Sequence, residues 1–299
     1  MILCCGEALI DMLPKDEGFI PHAGGAVFNT AIALGRLGAP AGFFSGLSND
    51  LFGTKLAHVL EESRVETGFC ARSNRPTTLA FVTLTNGQAQ YAFYDENTAG
   101  RLLAADDLPA LPADVQALFF GGISLVNEPA AETYAALMAR EAPSRVTMLD
   151  PNIRPGFITD PETYRARIDR MLALADIVKL SDEDLHWLEG PGEVTDLARG
   201  LLARGPKVVF ITKGAEGAHA ITATQDRFVA SQRVTVADTV GAGDTFNAGV
   251  LAALHRAGAL TKDAVLTDAI LDAALDLGAR AAAVTVSRAG ANPPWEHEL

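Results

Sequence analysis

The sequence contains few cysteines and no long uncharged apolar run. Its three cysteines, Cys4, Cys5 and Cys70, are too few for a disulfide framework and indicate a reducing compartment. Adjacent Cys4 and Cys5 would point to opposite sides of a strand, which disfavours one metal site shared between them. Because no stretch of about 18 apolar residues occurs, no membrane-spanning helix is expected.

Basic side chains are scarce as well. Lys and Arg total 24 against 37 Asp and Glu, which gives a formal net charge of −13. A surface this acidic repels phosphate backbones and anionic lipids, so neither nucleic acid nor a membrane is expected as a partner. The first residues form no basic leader, and Glu7 and Asp11 interrupt their apolar run, so we expect no signal peptide and a cytoplasmic location.

Two signatures of nucleotide-binding proteins are also missing. A nicotinamide dehydrogenase needs Gly-x-Gly-x-x-Gly directly after its first strand, whereas residues 24–29 read Gly-Gly-Ala-Val-Phe-Asn. The P-loop pattern Gly-x-x-x-x-Gly-Lys-Ser/Thr does not occur in the sequence. Both enzyme classes are therefore disfavoured.

The sequence does have enough apolar residues, 48%, to bury a large core. After residue 115, apolar runs alternate with helical patterns. The runs are at 117–123, 146–149, 177–180 and 207–212. The helical patterns are at 129–141, 161–174 and 195–204. This alternation predicts an α/β fold with a central, mostly parallel sheet and helices on both faces.

The remaining segments extend this pattern. Residues 2–11 predict one strand that is buried on both faces. Two short strands are expected near 217–222 and 227–231. Further helices are expected at 26–37, at 51–63, from near residue 241, and from about 262 to 280. No linker rich in Pro, Gly or Ser divides the chain, so we expect a single domain over residues 1–299.

A small β element is predicted at residues 79–97. Two β-rich runs, 79–85 and 89–94, are joined through Asn86-Gly87, a strong signal for a hairpin. Segment 12–23 also leaves the main sheet and is expected to join this element. The apolar side chains of the two β-rich runs are Leu79, Phe81, Val82, Tyr91, Phe93 and Tyr94. An isolated ribbon of this kind is marginal in water, so it needs a second subunit or its own domain to pack against.

The strongest motif is Asp238-Thr-Val-Gly-Ala-Gly-Asp244-Thr-Phe-Asn-Ala-Gly249. Small residues at 241–243 open a helix, so their amides and the positive end of the helix dipole can converge on an anion. Asp244 in the first turn is well placed to accept a proton from an attacking hydroxyl. The alternative is a tight glycine turn with Asp244 as an ordinary carboxylate at a helix start.

A second motif lies near the N-terminus. Gly24 and Gly25 permit a close approach of the backbone to a ligand, and Asn29 offers a donor and an acceptor suited to a polyol. Taken alone, the segment could equally be a glycine loop before a helix.

Together, in this order and at this separation, the two motifs resemble those of the PfkB carbohydrate kinases, of the ribokinase-like superfamily. The resemblance covers essentially the whole chain. It implies that Asp244 is the catalytic base and that Gly241, Ala242 and Gly243 form the anion hole. It further implies that the sugar is bound by Asp11, Gly24, Gly25 and Asn29. Residues 6–11, Gly-Glu-Ala-Leu-Ile-Asp, are most similar to the fructokinase branch, although Asp11 could also be a plain carboxylate at a strand end.

The resemblance also implies a nucleotide site. Its turn would contain Thr212, Lys213, Gly214 and Gly217, a segment that by itself is an ordinary strand-turn-strand. Arg154, in Asp-Pro-Asn-Ile-Arg, could clamp the transferring phosphate, or else pair at the surface with Asp150 or Asp160.

Ser181 and Asp184 stand where many members of the family carry Asn-x-x-Glu, and their oxygens would lie near Mg²⁺ and the phosphates. Lys179, two residues earlier, would also belong to the cofactor site. Segment 283–291 resembles the family's loop for a monovalent cation such as K⁺, with mostly backbone ligands. The residues of that site would be Asp238, Val240, Thr285, Arg288 and Gly290.

The implied activity is transfer of the γ-phosphoryl group of ATP to a sugar, with D-fructose and fructose 6-phosphate favoured as substrate and product. A 2-keto-3-deoxygluconate kinase, a ribokinase and a non-catalytic sugar sensor remain alternatives. Pocket determinants are expected at Phe93, Asp95 and Asn97, where the arginine typical of acid-sugar kinases is missing. Segments 12–23 and 79–97 would form the lid over the sugar, and a homodimer through this lid is expected.

Overall fold

The computed structural model describes residues 1–85 and 88–299, without the side chains of residues 84, 85 and 88–91. The predicted Asn86-Gly87 turn and the Tyr91 side chain lie outside this described part. The strands are β1 (Ile2–Cys5), β2 (Leu9–Lys15), β3 (Gly18–Gly24), β4 (Ala41–Phe44), β5 (Gly46–Ser48), β6 (Val65–Glu66), β7 (Ala71–Ser73), β8 (Leu79–Thr85), β9 (Gln88–Tyr94), β10 (Ala117–Gly121), β11 (Val146–Asp150), β12 (Ile177–Ser181), β13 (Val208–Thr212), β14 (Gly217–Ile221) and β15 (Asp226–Ala230). The helices are α1 (Ala26–Arg36), α2 (Leu51–Glu62), α3 (Ala130–Glu141), α4 (Pro161–Leu174), α5 (Asp182–Glu189), α6 (Val194–Leu202), α7 (Ala242–Arg256) and α8 (Asp268–Val286).

The main sheet has nine strands in the order β15-β14-β13-β12-β11-β10-β1-β4-β6. Its pairs are parallel except those of β14 with β13 and with β15. Cys4 packs into one apolar core with residues of α1, α7 and α8, whereas Cys5 packs into the other with residues of α3, α4 and α6. The prediction of a mostly parallel sheet with helices on both faces is confirmed.

A second sheet of four strands has the order β3-β2-β8-β9. Strand β2 pairs antiparallel with β3 and parallel with β8, which pairs antiparallel with β9. Because side chains alternate along a strand, the register places Asp11, Ala80 and Phe93 on one face. The opposite face carries Phe81, whose ring packs edge-to-face on Phe19 at 4.9 Å and on Tyr94 at 5.4 Å. We refer to Phe19, Phe81 and Tyr94 as the outer aromatic cluster.

The prediction of a single strand over residues 2–11 is wrong. The chain leaves the main sheet after Cys5 and enters the four-stranded sheet at Leu9. The buried strand β1 is therefore followed, after three residues, by the buried start of β2, Leu9 and Ile10. The break occurs because the Glu7 carboxylate turns inward and accepts a 2.8 Å hydrogen bond from the amide of Ala26. Apolar periodicity alone does not reveal this tertiary bond.

The last helix also differs from the prediction. It spans Asp268–Val286 instead of 262–280, and the Thr267 hydroxyl caps it by accepting from the amide of Ile270. Helix α5, Asp182–Glu189, was not predicted at all. Within the described residues, we find no helix that is both long and apolar enough to cross a membrane.

Candidate active site

Asp244 lies at the N-terminus of α7, where the two sequence motifs meet. Gly241 precedes the helix with a φ of 79°, and a Cβ there would lie 2.7 Å from that of Ala291, so only glycine fits. Asp244 is buried, and its Oδ2 accepts a 2.9 Å hydrogen bond from Nδ2 of Asn29. The first amides of a helix have no acceptor within it, and that of Ala242 donates to the carbonyl oxygen of Thr239 at 3.4 Å. The positive end of the helix dipole lies beside the carboxylate.

The electrostatics of the site favour a base that works near neutral pH. Burial raises the pKa of Asp244 to about 7, and the charges of Asp150 and Glu7 act in the same direction. The hydrogen bond from Asn29 and the charge of Lys179 oppose this rise. A carboxylate with such a pKa is a stronger base than a free aspartate and is still largely ionised above pH 7.

Lys179 places a buried positive charge at the same helix end. Its Nζ lies 3.0 Å from Oδ2 of Asp150, which also accepts a 2.7 Å hydrogen bond from Nδ2 of Asn247. A Cβ on Gly243 would lie 3.2 Å from this Nζ, so the ammonium borders the opening turn of α7. Burial alone would lower the pKa of Lys179, but Asp150, Asp184 and Asp244 raise it overall, so the ammonium stays charged.

Ser181 and Asp184 form the cap of α5. The Ser181 hydroxyl accepts from the amide of Asp184, and Oδ2 of Asp184 accepts in return from the amide of Ser181. Oδ1 of Asp184 accepts a 3.0 Å hydrogen bond from the amide of Ile153.

Arg154, the residue after Ile153, is exposed and donates to the carbonyl oxygen of Ile153, while Asp160 caps α4 through Thr163. The surface pairs considered for Arg154 are therefore not the contacts it makes.

The residues expected to bind sugar lie where β2, β3 and α1 meet. Burial raises the pKa of Asp11 to about 6. Any side chain on Gly24 would collide with the Asp11 carboxylate. Gly25 has a φ of 117°, and a Cβ there would lie 2.8 Å from the carbonyl oxygen of Glu7. Glycine is therefore required at Gly25, whereas a side chain at Gly24 would have to displace the Asp11 carboxylate. The structure brings both glycines together with Asn29 on α1.

Glu7 is a buried residue of this region that sequence reasoning missed. Its carboxylate accepts hydrogen bonds from the amides of Ala26 at 2.8 Å, Val27 at 3.4 Å and Ser124 at 3.2 Å. It thereby ties the end of β1 to the first turn of α1 and to the turn after β10. A charged residue directly after a buried strand, in Gly6-Glu7, is the signal that could have identified it.

A cavity of about 350 Å³ lies between the four-stranded sheet and the end of β10. Its walls include Glu7, Phe93, Asp95, Arg101, Asn127 and Phe157. The rings of Phe93 and Phe157 pack edge-to-face at 4.7 Å across one wall. Arg101, Asn127 and Phe157 were not anticipated, since no motif surrounds them.

The expected nucleotide turn follows β13. Thr212 is paired in register with Ser181, so the two strand ends lie side by side at the carboxyl edge of the sheet. Lys213 extends to Glu216 with an Nζ–Oε2 distance of 2.7 Å, and Gly214 has a φ of 50°. A side chain on Gly217 would collide with the backbone of β15.

The residues of the expected cation loop are only partly in a loop. Asp238 links the segment before α7 to the one after α8, since its carboxylate accepts from the amides of Val240 and Gly290, each at 3.0 Å. Thr285, expected in the loop, instead lies inside α8, and its hydroxyl donates to that of Thr245. Arg288 pairs with Glu298. Across the described residues, no three His, Cys, Asp or Glu side chains gather in a group that could hold a metal ion.

Several known proteins are similar to this chain in sequence or in structure. A curated fructokinase of Rhizobium leguminosarum bv. trifolii is 58% identical over 267 residues, covering 88% of this chain and 82% of that protein. The structure of a Xylella fastidiosa fructokinase with bound ATP superposes with a TM-score of 0.88 at 31% identity, covering 97% of this chain and 93% of that one.

Fructokinase of Vibrio cholerae O395 is similar as well. Its structure with fructose, ADP and a calcium ion has a TM-score of 0.85 at 26% identity, over 97% of this chain and 94% of that one. A variant of the same enzyme with fructose, ADP and a potassium ion gives a TM-score of 0.85 at 25% identity, over 97% of this chain and 93% of that one.

The family comparison covers nearly the whole chain. Residues 1–298 match the family described as pfkB family carbohydrate kinase. The resemblance inferred from the two sequence motifs is therefore confirmed, and the chain belongs to the pfkB family of carbohydrate kinases.

Proposed function

We propose that this chain transfers the γ-phosphoryl group of ATP to D-fructose and produces fructose 6-phosphate and ADP. The observation that carries the proposal is the buried Asp244 carboxylate at the N-terminus of α7, held by Asn29. The 58% identity to a curated fructokinase supports fructose as the sugar.

In the proposed reaction Asp244 accepts the proton of the attacking sugar hydroxyl. The sugar oxygen forms a bond to the γ-phosphorus as the bond to the β-phosphate oxygen breaks and ADP leaves. The amides of Gly241, Ala242 and Gly243 receive the phosphoryl oxygens, where the helix dipole stabilises the developing negative charge. The buried ammonium of Lys179 supports this role, because it adds a fixed charge at the same helix end.

The sugar is held beside Asp244, where β2, β3 and α1 meet. Asp11 and Asn29 offer hydrogen bonds to its hydroxyls. Gly24 and Gly25 belong to the same site, where their lack of side chains lets the Asp11 carboxylate and the backbone of Glu7 approach closely. The cavity bordered by Glu7 and Phe93 extends this site along the face of the four-stranded sheet that carries Asp11 and Phe93. That sheet then acts as a lid, which keeps water from the reacting phosphoryl group.

ATP is placed along the carboxyl edge of the main sheet. Thr212, Lys213, Gly214 and Gly217 form its turn beside the end of β12, and Arg154 is free to rotate toward the transferring phosphate. In open α/β sheets ligands bind at this edge, which supports the assignment. The bound nucleotides of the related Xylella and Vibrio enzymes support it too.

The side chains around Lys179 fit a Mg²⁺ ion that is bound mainly by water and phosphate. Mg²⁺ needs one or two carboxylates and keeps several waters. Asp150 and Asp184 supply carboxylates, and the buried Oδ1 of Asn247 has no hydrogen-bond partner among the described residues. Asp150 and Asp184, with Ser181 beside them, would hold the ion through water. When bound, Mg²⁺ neutralises charge on the nucleotide phosphates.

A monovalent cation is proposed beside Asp238. This carboxylate joins the segments before α7 and after α8, so a cation on the surrounding backbone carbonyls of Val240, Thr285, Arg288 and Gly290 would stabilise the opening turn of α7. The potassium ion in the related Vibrio enzyme supports this assignment.

We further propose that residues 1–299 form one domain and that its lid, about 12–23 and 79–97, pairs with a second copy in a homodimer. The outer aromatic cluster supports this, since Phe19 is 43% and Tyr94 60% exposed. Exposed aromatic side chains on the face of a narrow sheet are normally covered by a partner.

The decisive experiment is an assay of ADP release with D-fructose, D-ribose and 2-keto-3-deoxygluconate, with Asp244→Asn as the control for contaminating kinases. We expect the largest kcat/KM for D-fructose and no activity of the variant above background. A larger kcat/KM for either other sugar would contradict the proposal. Binding of fructose without ADP release would instead favour a sugar sensor.

A further inference from the structure

The far end of the cavity contains a fixed pair of opposite charges. Oδ1 of Asp95 lies 2.8 Å from Nη1 of Arg101, and Oδ2 accepts a 2.8 Å hydrogen bond from Nδ2 of Asn127. The side chains of Asp95 and Arg101 are only 16% and 32% exposed. All three residues line the cavity of about 350 Å³. We refer to them as the Asp95 cluster.

The backbone around the Asp95 cluster is braced, so the pair is not a mobile surface contact. The buried Thr98 hydroxyl donates to the carbonyl oxygen of Asp95 at 2.9 Å and lies 2.9 Å from the hydroxyl of Thr78. The carbonyl oxygen of Arg101 accepts from the amide of Ala130 at the start of α3. Both ends of the loop are therefore anchored to the main fold.

The cluster lies near the proposed sugar site, on the inner side of the four-stranded sheet. Phe93, two residues before Asp95, lies on the same sheet face as Asp11, and their strands are separated only by β8. Neighbouring strands are about 5 Å apart, so the backbones of Asp11 and Phe93 lie about 10 Å apart on this face. Glu7 borders the same cavity and holds the first turn of α1, which carries Asn29.

The charges that line the cavity disfavour an anionic ligand. Arg101 is the single cation among the described lining residues, and Asp95 already compensates it, which leaves the carboxylate of Glu7 in excess. A ligand carboxylate that reached the other N–H groups of Arg101 would lie beside the carboxylate of Asp95, and the two like charges would repel each other. A neutral polyol, by contrast, can donate its hydroxyls to the lone pairs that remain on Asp95.

We propose that Asp95 determines the specificity of the sugar site: it accepts hydroxyls of a neutral sugar and, by holding Arg101, excludes sugars that carry a carboxylate. This inference rests on the proposed function as a sugar kinase. The neutral Asp95→Asn variant keeps the shape of the cluster but frees the positive charge of Arg101.

The test compares kcat/KM for D-fructose with kcat/KM for 2-keto-3-deoxygluconate. In Asp95→Asn the ratio should shift toward the acid by about tenfold or more, since the carboxylate of the acid gains a charge-assisted hydrogen bond to Arg101. Glu96→Gln, which removes the same charge from the exposed neighbouring residue, should leave the ratio unchanged. The double variant Asp95→Asn/Arg101→Gln should lose the gain for the acid.

A second variant keeps the inference testable if Asp95→Asn does not fold. Arg101→Gln leaves the Asp95 carboxylate uncompensated, so activity with the acid should fall further relative to fructose. If Asp95→Asn melts like the wild type but shows the same ratio as Glu96→Gln, the inference is overturned. The same holds if Arg101→Gln favours the acid. A wild type that phosphorylates neither sugar contradicts the proposed function itself, which is a separate outcome.

Discussion

Asn29 donates a 2.9 Å hydrogen bond to the carboxylate of Asp244 across 215 positions of sequence. This bond joins the first turn of α1 to the first turn of α7, and so unites the two glycine-containing motifs in one site. It favours the ionised form of Asp244, against the much larger effect of burial. Asn29 therefore helps to set the pH at which Asp244 can accept a proton.

Asn29→Ala should shift the pH dependence of kcat/KM. Without the hydrogen bond the pKa of Asp244 rises from about 7, so the acidic limb of the profile should move to higher pH. Thr30→Val is the matched control, because the Thr30 hydroxyl donates to the backbone carbonyl of Asp244 and not to its carboxylate. An acidic limb that moves equally in both variants would show that Asn29 does not tune the base.

Asp244→Asn should abolish turnover while preserving ligand binding. Loss of a general base costs on the order of 10² to 10⁴ in rate, whereas the amide keeps the size of the carboxylate and can still accept from Asn29. Calorimetric titration should give dissociation constants for fructose and ATP within about tenfold of the wild type. A variant with more than about a tenth of the wild-type kcat would exclude Asp244 as the base.

The same substitution should stabilise the protein at alkaline pH. The pKa of Asp244 is about 7 in the folded state and 3.8 in the unfolded chain, so between these values the folded state binds the additional proton. The contribution of Asp244 to the free energy of unfolding therefore falls as pH rises from about 4 to about 7. Melting temperatures should show a larger gain for Asp244→Asn at pH 8 than at pH 5. Equal gains at both pH values would contradict the raised pKa.

Asp11→Ala should weaken sugar binding selectively. It removes a charge-assisted hydrogen bond worth roughly 1.5–3 kcal/mol, so the KM for fructose should rise by about tenfold or more and the KM for ATP should change little. In the wild type the KM for fructose should rise as pH falls through about 6, where Asp11 becomes protonated. Glu17→Gln, in the adjoining exposed turn, serves as control. An equal rise in both KM values would assign Asp11 a structural role.

Replacing Phe19 and Tyr94 together with lysine should give a monomer in sedimentation velocity. Two charges on the outer aromatic cluster would be buried in the proposed dimer at high cost. Leu51→Lys is the control, since Leu51 is 79% exposed on α2, outside the four-stranded sheet. A wild-type monomer at micromolar concentration would refute the dimer, and a double variant that remains dimeric would place the interface elsewhere.

The parallel sheet could be predicted because its strands are buried on both faces. Such strands appear as short apolar runs, and the predicted ends at 146–149, 177–180 and 207–212 lie within one residue of the observed strands. Where the buried start of a second strand follows closely, as at 2–11, the apolar residues form one continuous run, and the pattern predicts a single strand. The turn that separates them depends on Glu7, whose partners lie on α1 and after β10.

The candidate site could likewise be predicted only in part from the sequence. Asp244 and Asn29 stand in recognisable local motifs, so sequence alone could place them near helix starts. Asp11 stands in such a motif too, but it lies inside β2 and not at the strand end that the sequence predicts. Arg101 and Asn127 acquire their roles only through Asp95, which lies 6 and 32 positions away respectively. Nothing in the flanking residues of either one signals that contact.

The path of the backbone through the four-stranded sheet limits how sugar preference can change within the family. The backbone enters it after Gly6–Ala8 and leaves it at Gly24, immediately before α1; it returns before Leu79 and leaves again after Tyr94. Each junction adjoins a group of the site: Glu7, Gly25, Thr78 or Asp95. An exchange of this sheet between homologues would place its junctions inside the proposed sugar site. We therefore expect single substitutions on the inner face of the sheet to change sugar preference more readily than exchange of the whole sheet.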